Sequence, residues 1–173
     1  EANVSVEASA QEAGWALGNV YMLEQDTAGD LIIEHGENHR KVHVTAGAHG
    51  LTAAEIAKAE GVKAADITAQ WLADHPEYGA TSDKALSTEM GMKLWYHINS
   101  AQAGENSNWL LFEKGYQYDN TQRLIPRGSS GESAINPIVI GAYGEGTDPI
   151  ITDQIQIYQD ATNHLILKDL DIT

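Results

Sequence analysis

Three short apolar runs in the C-terminal part of the chain return at nearly equal intervals. They are Trp109-Leu-Leu-Phe, Pro137-Ile-Val-Ile and Leu165-Ile-Leu, and their members Leu110, Ile138 and Leu165 stand 28 and 27 residues apart. Each run is too short for a helix, and Gly, Asn or Asp lies between them, so each reads as a strand. Short strands recurring at such a period predict stacked turns of chain. Each turn has an apolar inner row that it cannot bury alone, and its neighbours bury it. Leu165, Leu167, Leu170 and Ile172 make two inward pairs around Lys168-Asp169, the pattern of a bend between two strands of one turn. Ile155-Gln-Ile-Tyr adds a further short strand.

The 108 residues before these runs have a different character. Val20-Tyr-Met-Leu, Leu31-Ile-Ile and Val42-His-Val read as strands separated by Gly, Asn and Asp turns. Leu51 to Glu60 reads as a helix, with Thr52 and Glu55 placed for a capping box and Gly61 as its stop. Lys63 to Asp74 reads as a second helix that Pro76 ends. A third is expected from about Asp83 to Ile98 with Ser82 as N-cap, its Leu86, Met90, Leu94 and Ile98 sharing one face. Gly91 in its interior costs about 1 kcal/mol relative to Ala. Asn99 to Asn108 reads as a polar loop.

A chain of 173 residues holds one ordinary domain or two small units, and 42% hydrophobic residues suffice for a core. Ten Lys and Arg against 25 Asp and Glu give a net charge of −15. Such a surface repels a phosphate backbone, so nucleic acid is not an expected partner. The helix pair at 51–74 also resembles a helix-turn-helix, but its second helix is poor in basic residues. Without cysteine, disulfides and thiolate metal sites are ruled out. No apolar run is long enough to span a membrane. A chain that begins at Glu1 with no signal peptide is expected to be processed or partial, and a run of strands that stops at Thr173 is expected to belong to the N-terminal piece of a longer protein, or to have its last edge covered by another subunit.

Two segments carry a family resemblance. Ser107-Asn-Trp-Leu-Leu-Phe-Glu-Lys-Gly and Asn136-Pro-Ile-Val-Ile-Gly-Ala-Tyr-Gly-Glu-Gly-Thr-Asp-Pro-Ile-Ile resemble the first coils of right-handed parallel β-helix proteins of the pectate-lyase-like superfamily. The resemblance implies a mixed α+β chain, in which an N-terminal β-rich and helical region leads into the opening coils of a right-handed parallel β-helix. The expected segments are 1–48 (β-rich), 49–80 (two helices), 81–108 (capping helix and loop) and 109–173 (β-helix). In that family catalytic residues lie on later coils. The implied role is therefore a non-catalytic anchoring part, residues 1–108, of an extracellular, cell-surface or virion protein such as a phage spike, whose shaft from Trp109 recognises surface glycan. A homo-oligomer, a trimer by resemblance, is the implied assembly. The alternative is the N-terminal portion of a polysaccharide lyase or hydrolase. Residues 42–78 also resemble a lysin-motif module, which implies peptidoglycan or chitin binding.

No complete catalytic constellation is present, and paired carboxylates for glycoside hydrolysis cannot be placed by spacing. Trp109, Tyr116, Tyr118 and Tyr143 are the candidates for stacking on sugar rings, with core packing as the competing use. His35, His39 and His43 would align on a helix to hold a metal, but Gly36 and the alternating Lys41-Val-His-Val point to a turn and strand. Asp148, Asp153, Asp160, Asp169 and Asp171 are dense enough to offer oxygen to Ca²⁺ but follow no ordered spacing, so no cofactor is expected. Gly141-Ala-Tyr-Gly-Glu-Gly lacks the following helix that a phosphate loop needs, which leaves its glycines a turn role.

Overall fold

A computed structural model of the chain describes residues 25–37, 39–100, 103–119, 124–152 and 162–173. The chain divides into two compact units, Glu1–Glu34 and His35–Thr173. In the first, Gln25 bridges Leu31 in antiparallel fashion. The turn between them closes on Asp26, whose Oδ1 accepts from the N–H groups of Ala28 at 2.8 Å and Asp30 at 3.0 Å. The expected strands at Val20 and Ile155 lie outside the described residues.

The second unit runs β1 (Lys41–Thr45), α1 (Ala53–Glu60), α2 (Ala69–Asp74), β2 (Leu86–Ser87), α3 (Thr88–Ile98), β3 (Trp109–Glu113), β4 (Gln117–Tyr118), β5 (Ile138–Tyr143), β6 (Ile150–Ile151), β7 (Leu165–Leu167) and β8 (Asp171–Ile172). The strands form a five-stranded sheet of order β2-β1-β3-β5-β7 and a three-stranded sheet of order β4-β6-β8. Every paired strand in both sheets is parallel.

This architecture corrects the expected fold class. The described residues form a mixed α/β unit of two parallel sheets and three α-helices, with no closure into a solenoid. Nor does the parallel pairing begin at Trp109. β1 lies directly beside β3, with Val42 opposite Leu110 and Val44 opposite Phe112. The crossovers are unequal. The step from β1 to β3 contains all three described α-helices, while among the described residues none lies between β3 and β5 or between β5 and β7. The near-even spacing of the apolar runs reflects parallel strands rather than equal coils. Ile138 does oppose Leu165, but Leu110 opposes Ile140 and not Ile138.

The core lies between the sheets and the helices. Alternation along the strands sends Val42, Val44, Leu110, Phe112, Ile138 and Ile140 inward, all at most 1% exposed. The smaller sheet contributes Tyr118 and Ile151. The Tyr118 ring meets Phe112 edge-on at 4.7 Å, and its hydroxyl donates to the carbonyl of Glu113 at 3.0 Å. From the helices come Ile56, Leu72, Met90, Leu94 and Trp95. The Trp95 indole N–H donates to the Leu124 carbonyl at 2.8 Å, so its polar edge is satisfied inside the core.

Thr52 and Glu55 form the expected capping box, and Gly61 ends α1 in the left-handed region at φ 70°. The second helix is shorter than expected: Ala64–Asp66 is a 3-10 turn, and Thr68 caps a helix that begins at Ala69. The third also starts later. Leu86 pairs with Val44 as a strand, so Ser87 and not Ser82 caps α3.

Candidate functional site

The larger sheet turns a second row of side chains away from the core. Alternation puts Lys41 and His43 of β1, Trp109, Leu111 and Glu113 of β3, and Val139, Gly141 and Tyr143 of β5 on this side. Trp109 stands at the start of β3, and Tyr143 lies opposite Glu113 at its end. The two aromatic residues are therefore about 13 Å apart along the strand direction.

At the first end, Trp109 is half-buried. The Lys41 ammonium sits 5.0 Å above its ring, a cation–π contact between directly opposed residues. The His39 imidazole meets the indole edge-on at 5.1 Å, and His35 stacks on His39 at 4.1 Å. The Nδ1–H of His39 donates to the Ser107 carbonyl at 2.6 Å, which leaves Nε2 as the lone-pair nitrogen of the neutral ring. Burial lowers the His39 pKa from its ordinary value, against that hydrogen bond.

At the other end, the Tyr143 ring meets His43 edge-on at 4.8 Å. Burial, helped by the nearby Glu113 carboxylate, raises the Tyr143 pKa. The Nε2–H of His49 donates to Glu113 Oε2 at 2.9 Å, and the Tyr116 ring lies 6.4 Å from His49. His43 is 9% exposed, and its Nδ1–H donates to the Gly79 carbonyl at 2.9 Å. Burial lowers its pKa as well.

Three of the four expected stacking residues therefore gather on or beside one face: Trp109, Tyr143 and Tyr116. Tyr118 does not join them. It is 1% exposed and fills the core between the sheets, where no sugar can reach it. Alternation explains the split, because Tyr118 is the inward residue of its strand and Gln117 the outward one. The sequence alone does not mark Lys41, His43, His49 and Glu113 as partners of these aromatics. The signal for Lys41 and His43 was present in the alternating Lys41-Val-His-Val. His49 and Glu113 are 64 positions apart and meet only through the fold.

Among the described residues no group of three or more His, Asp or Glu is placed to hold a metal ion. His35 and His39 stack face to face, while His43 turns to Gly79. Asp148 pairs with Lys114 at 3.1 Å and Asp169 with Lys168 at 3.3 Å. Asp153 and Asp160 lie outside the described residues. Gly141 is a strand residue, and Gly144 and Gly146, at φ 82° and 123°, make the turn that follows.

Open grooves lie elsewhere among the described residues. One of ≈ 670 Å³ runs between α2 and α3, lined by Ala69, Thr88, Met92, Lys93 and Tyr96. Another, of ≈ 700 Å³, lies beside β6 and β8 at Gly146, Asp148 and Asp171. No helix among the described residues is long and apolar enough to cross a membrane. Comparison with protein-family models, with curated proteins and with solved structures finds no match.

Proposed function

We propose that this chain is a non-catalytic, glycan-recognising and anchoring part of an extracellular or virion-surface protein, and that it binds glycan on the outward face of its larger sheet. One observation carries the reading: Trp109 and Tyr143 stand at opposite ends of a single face, with Lys41, Glu113 and His49 as polar groups around them. Aromatic bodies rimmed by a few hydrogen-bonding groups suit sugar rings, which have apolar faces and hydroxyl edges. The resemblance of residues 107–115 and 136–151 to extracellular polysaccharide-handling proteins supports the ligand class. A net charge of −15 favours a neutral glycan over a polyanionic one. Assembly as a homo-oligomer, a trimer, belongs to the same proposal. It is supported by Leu167 and Ile172 on edge strands β7 and β8, apolar yet 36% and 46% exposed.

Retention on a panel of neutral polysaccharides tests the reading. Wild-type protein is expected to bind at least one polymer. Trp109→Ala or Tyr143→Ala each weakens binding about tenfold, the usual effect of truncating an aromatic anchor. Tyr118→Phe, a core change, leaves it unaltered. Binding that survives both aromatic substitutions, or no binding to any polymer, contradicts the proposal. Binding to peptidoglycan or chitin that instead disappears with Lys93→Ala assigns recognition to the groove between α2 and α3.

A further inference from the structure

We infer that His39 and His43, flanking Lys41 on the outward side of β1 with His35 stacked at one end, form an acid-sensitive lock that loosens this face when the histidines gain protons. Alternation sets His39, Lys41 and His43 on one side of the chain, about 7 Å from one to the next. Only Lys41 among the three is charged when the imidazoles are neutral, and its ammonium sits over the Trp109 ring.

A proton on His39 has no good place to go. Nδ1 already donates to Ser107, so the new proton goes to Nε2, which is buried with no hydrogen-bond partner. The resulting imidazolium would face His35 across a 4.1 Å stack. A protonated His43 would be charged within a 9% exposed site beside the Tyr143 ring. Lys41 opposes protonation of both, and His35 opposes that of His39.

The other charged groups facing this row do not cancel the effect. Glu113 of β3 already accepts from His49. Lys168, whose stem lies over Gly141, is already paired with Asp169 at 3.3 Å. Arg40, whose side chain turns to the end of α2, has Glu77 as its facing carboxylate. The Glu132 carboxylate closes on Gly36, next to His35, and Glu34 and Glu37 flank the same turn in the chain.

Both histidines have folded pKa values below the ordinary 6.5. The folded state therefore binds fewer protons than the unfolded chain in the window beneath 6.5. The contribution of each to stability is complete above the unfolded value and is lost as pH falls through the depressed folded one. The inference does not depend on glycan binding.

Two-dimensional NMR of the histidine side chains, together with amide hydrogen exchange between about pH 7.5 and pH 5, tests it. His39 and His43 are expected to titrate below 6.5. Protection at Arg40, His43 and Trp109 should fall by up to about tenfold per pH unit for each histidine. Protection across Met90–Trp95 of α3 should persist while the face opens. His39→Asn and His43→Asn keep a short donor but cannot ionise, and are expected to flatten the dependence. Titration of both histidines at or above 6.5 in the wild type overturns the inference. So does loss of α3 protection in step with the face, or full acid sensitivity in the double variant.

Discussion

Gly91 sits where α3 crosses β1, and the Val44 side chain fills the space a Cβ would need, its Cγ1 at 3.3 Å from that position. Two effects oppose each other at this residue. Ala would raise helix propensity by about 1 kcal/mol. Overpacking against a fully buried valine costs about 1–3 kcal/mol and should win. Gly91→Ala is thus expected to lower stability in denaturant unfolding despite being the better helix former. Arg40 is a second such position. Its Nη2 donates to the carbonyls of Leu72 at 2.7 Å and Tyr78 at 3.2 Å, and Nη1 to that of Ala73 at 3.1 Å. A single guanidinium thereby serves the carbonyls left over at the end of α2 and in the turn beyond it. Arg40→Met removes these donors while keeping most of the stem. It should cost about 2–4 kcal/mol by the same measurement. The cost of Gly91 was legible in the sequence, but its reason was not, because the partner lies in another element. Nothing in the sequence marked Arg40.

At the scale of elements, caps and breakers were the most legible features. Thr52, Glu55 and Gly61 act as their chemistry dictates, because capping is decided within a few residues. The start of α3 differs from the expected one because Leu86 fits two patterns. Its spacing suits the helix face, but a parallel partner at Val44 draws it into β2. The stretch from Asn99 to Asn108 reads as a polar loop, and its described residues form one, yet Asn99, Asn106, Ser107 and Asn108 are at most 4% exposed. They are buried because they satisfy one another and the backbone. Asn108 Oδ1 accepts from the Arg40 N–H at 2.8 Å, and Asn108 Nδ2 donates to Asn99 Oδ1 at 3.4 Å. This joins the end of α3 to the approach to β1. Asn108→Ala should therefore cost about 2–3 kcal/mol, well above the effect of an exposed loop substitution. A change in unfolding free energy below about 0.5 kcal/mol would contradict this role.

At the scale of the whole molecule, the repeated strands were visible but their arrangement was not. Spacing within 109–173 predicts stacked coils, whereas the strands there form two parallel sheets in which Ile138 opposes Leu165 and Leu110 opposes Ile140. It could not reveal that β1, far upstream, completes the same sheet, because pairing across three intervening helices leaves no period in the chain. The candidate site shows the same limit. Trp109 and Tyr143 were identifiable as residue types, and alternation would place each on a face. Their company comes from β1 and from the turn after it: Lys41 over Trp109, His43 against Tyr143 and His49 on Glu113. NMR chemical-shift mapping, with the neutral polysaccharide that the protein retains as the titrant, reads this arrangement most directly. Shifts centred on the Trp109 indole N–H, Tyr143, Tyr116 and the His49–Glu113 pair are the predicted result. Shifts confined to α2 and α3, with the Trp109 indole N–H unmoved, would contradict recognition by the outward face of the sheet.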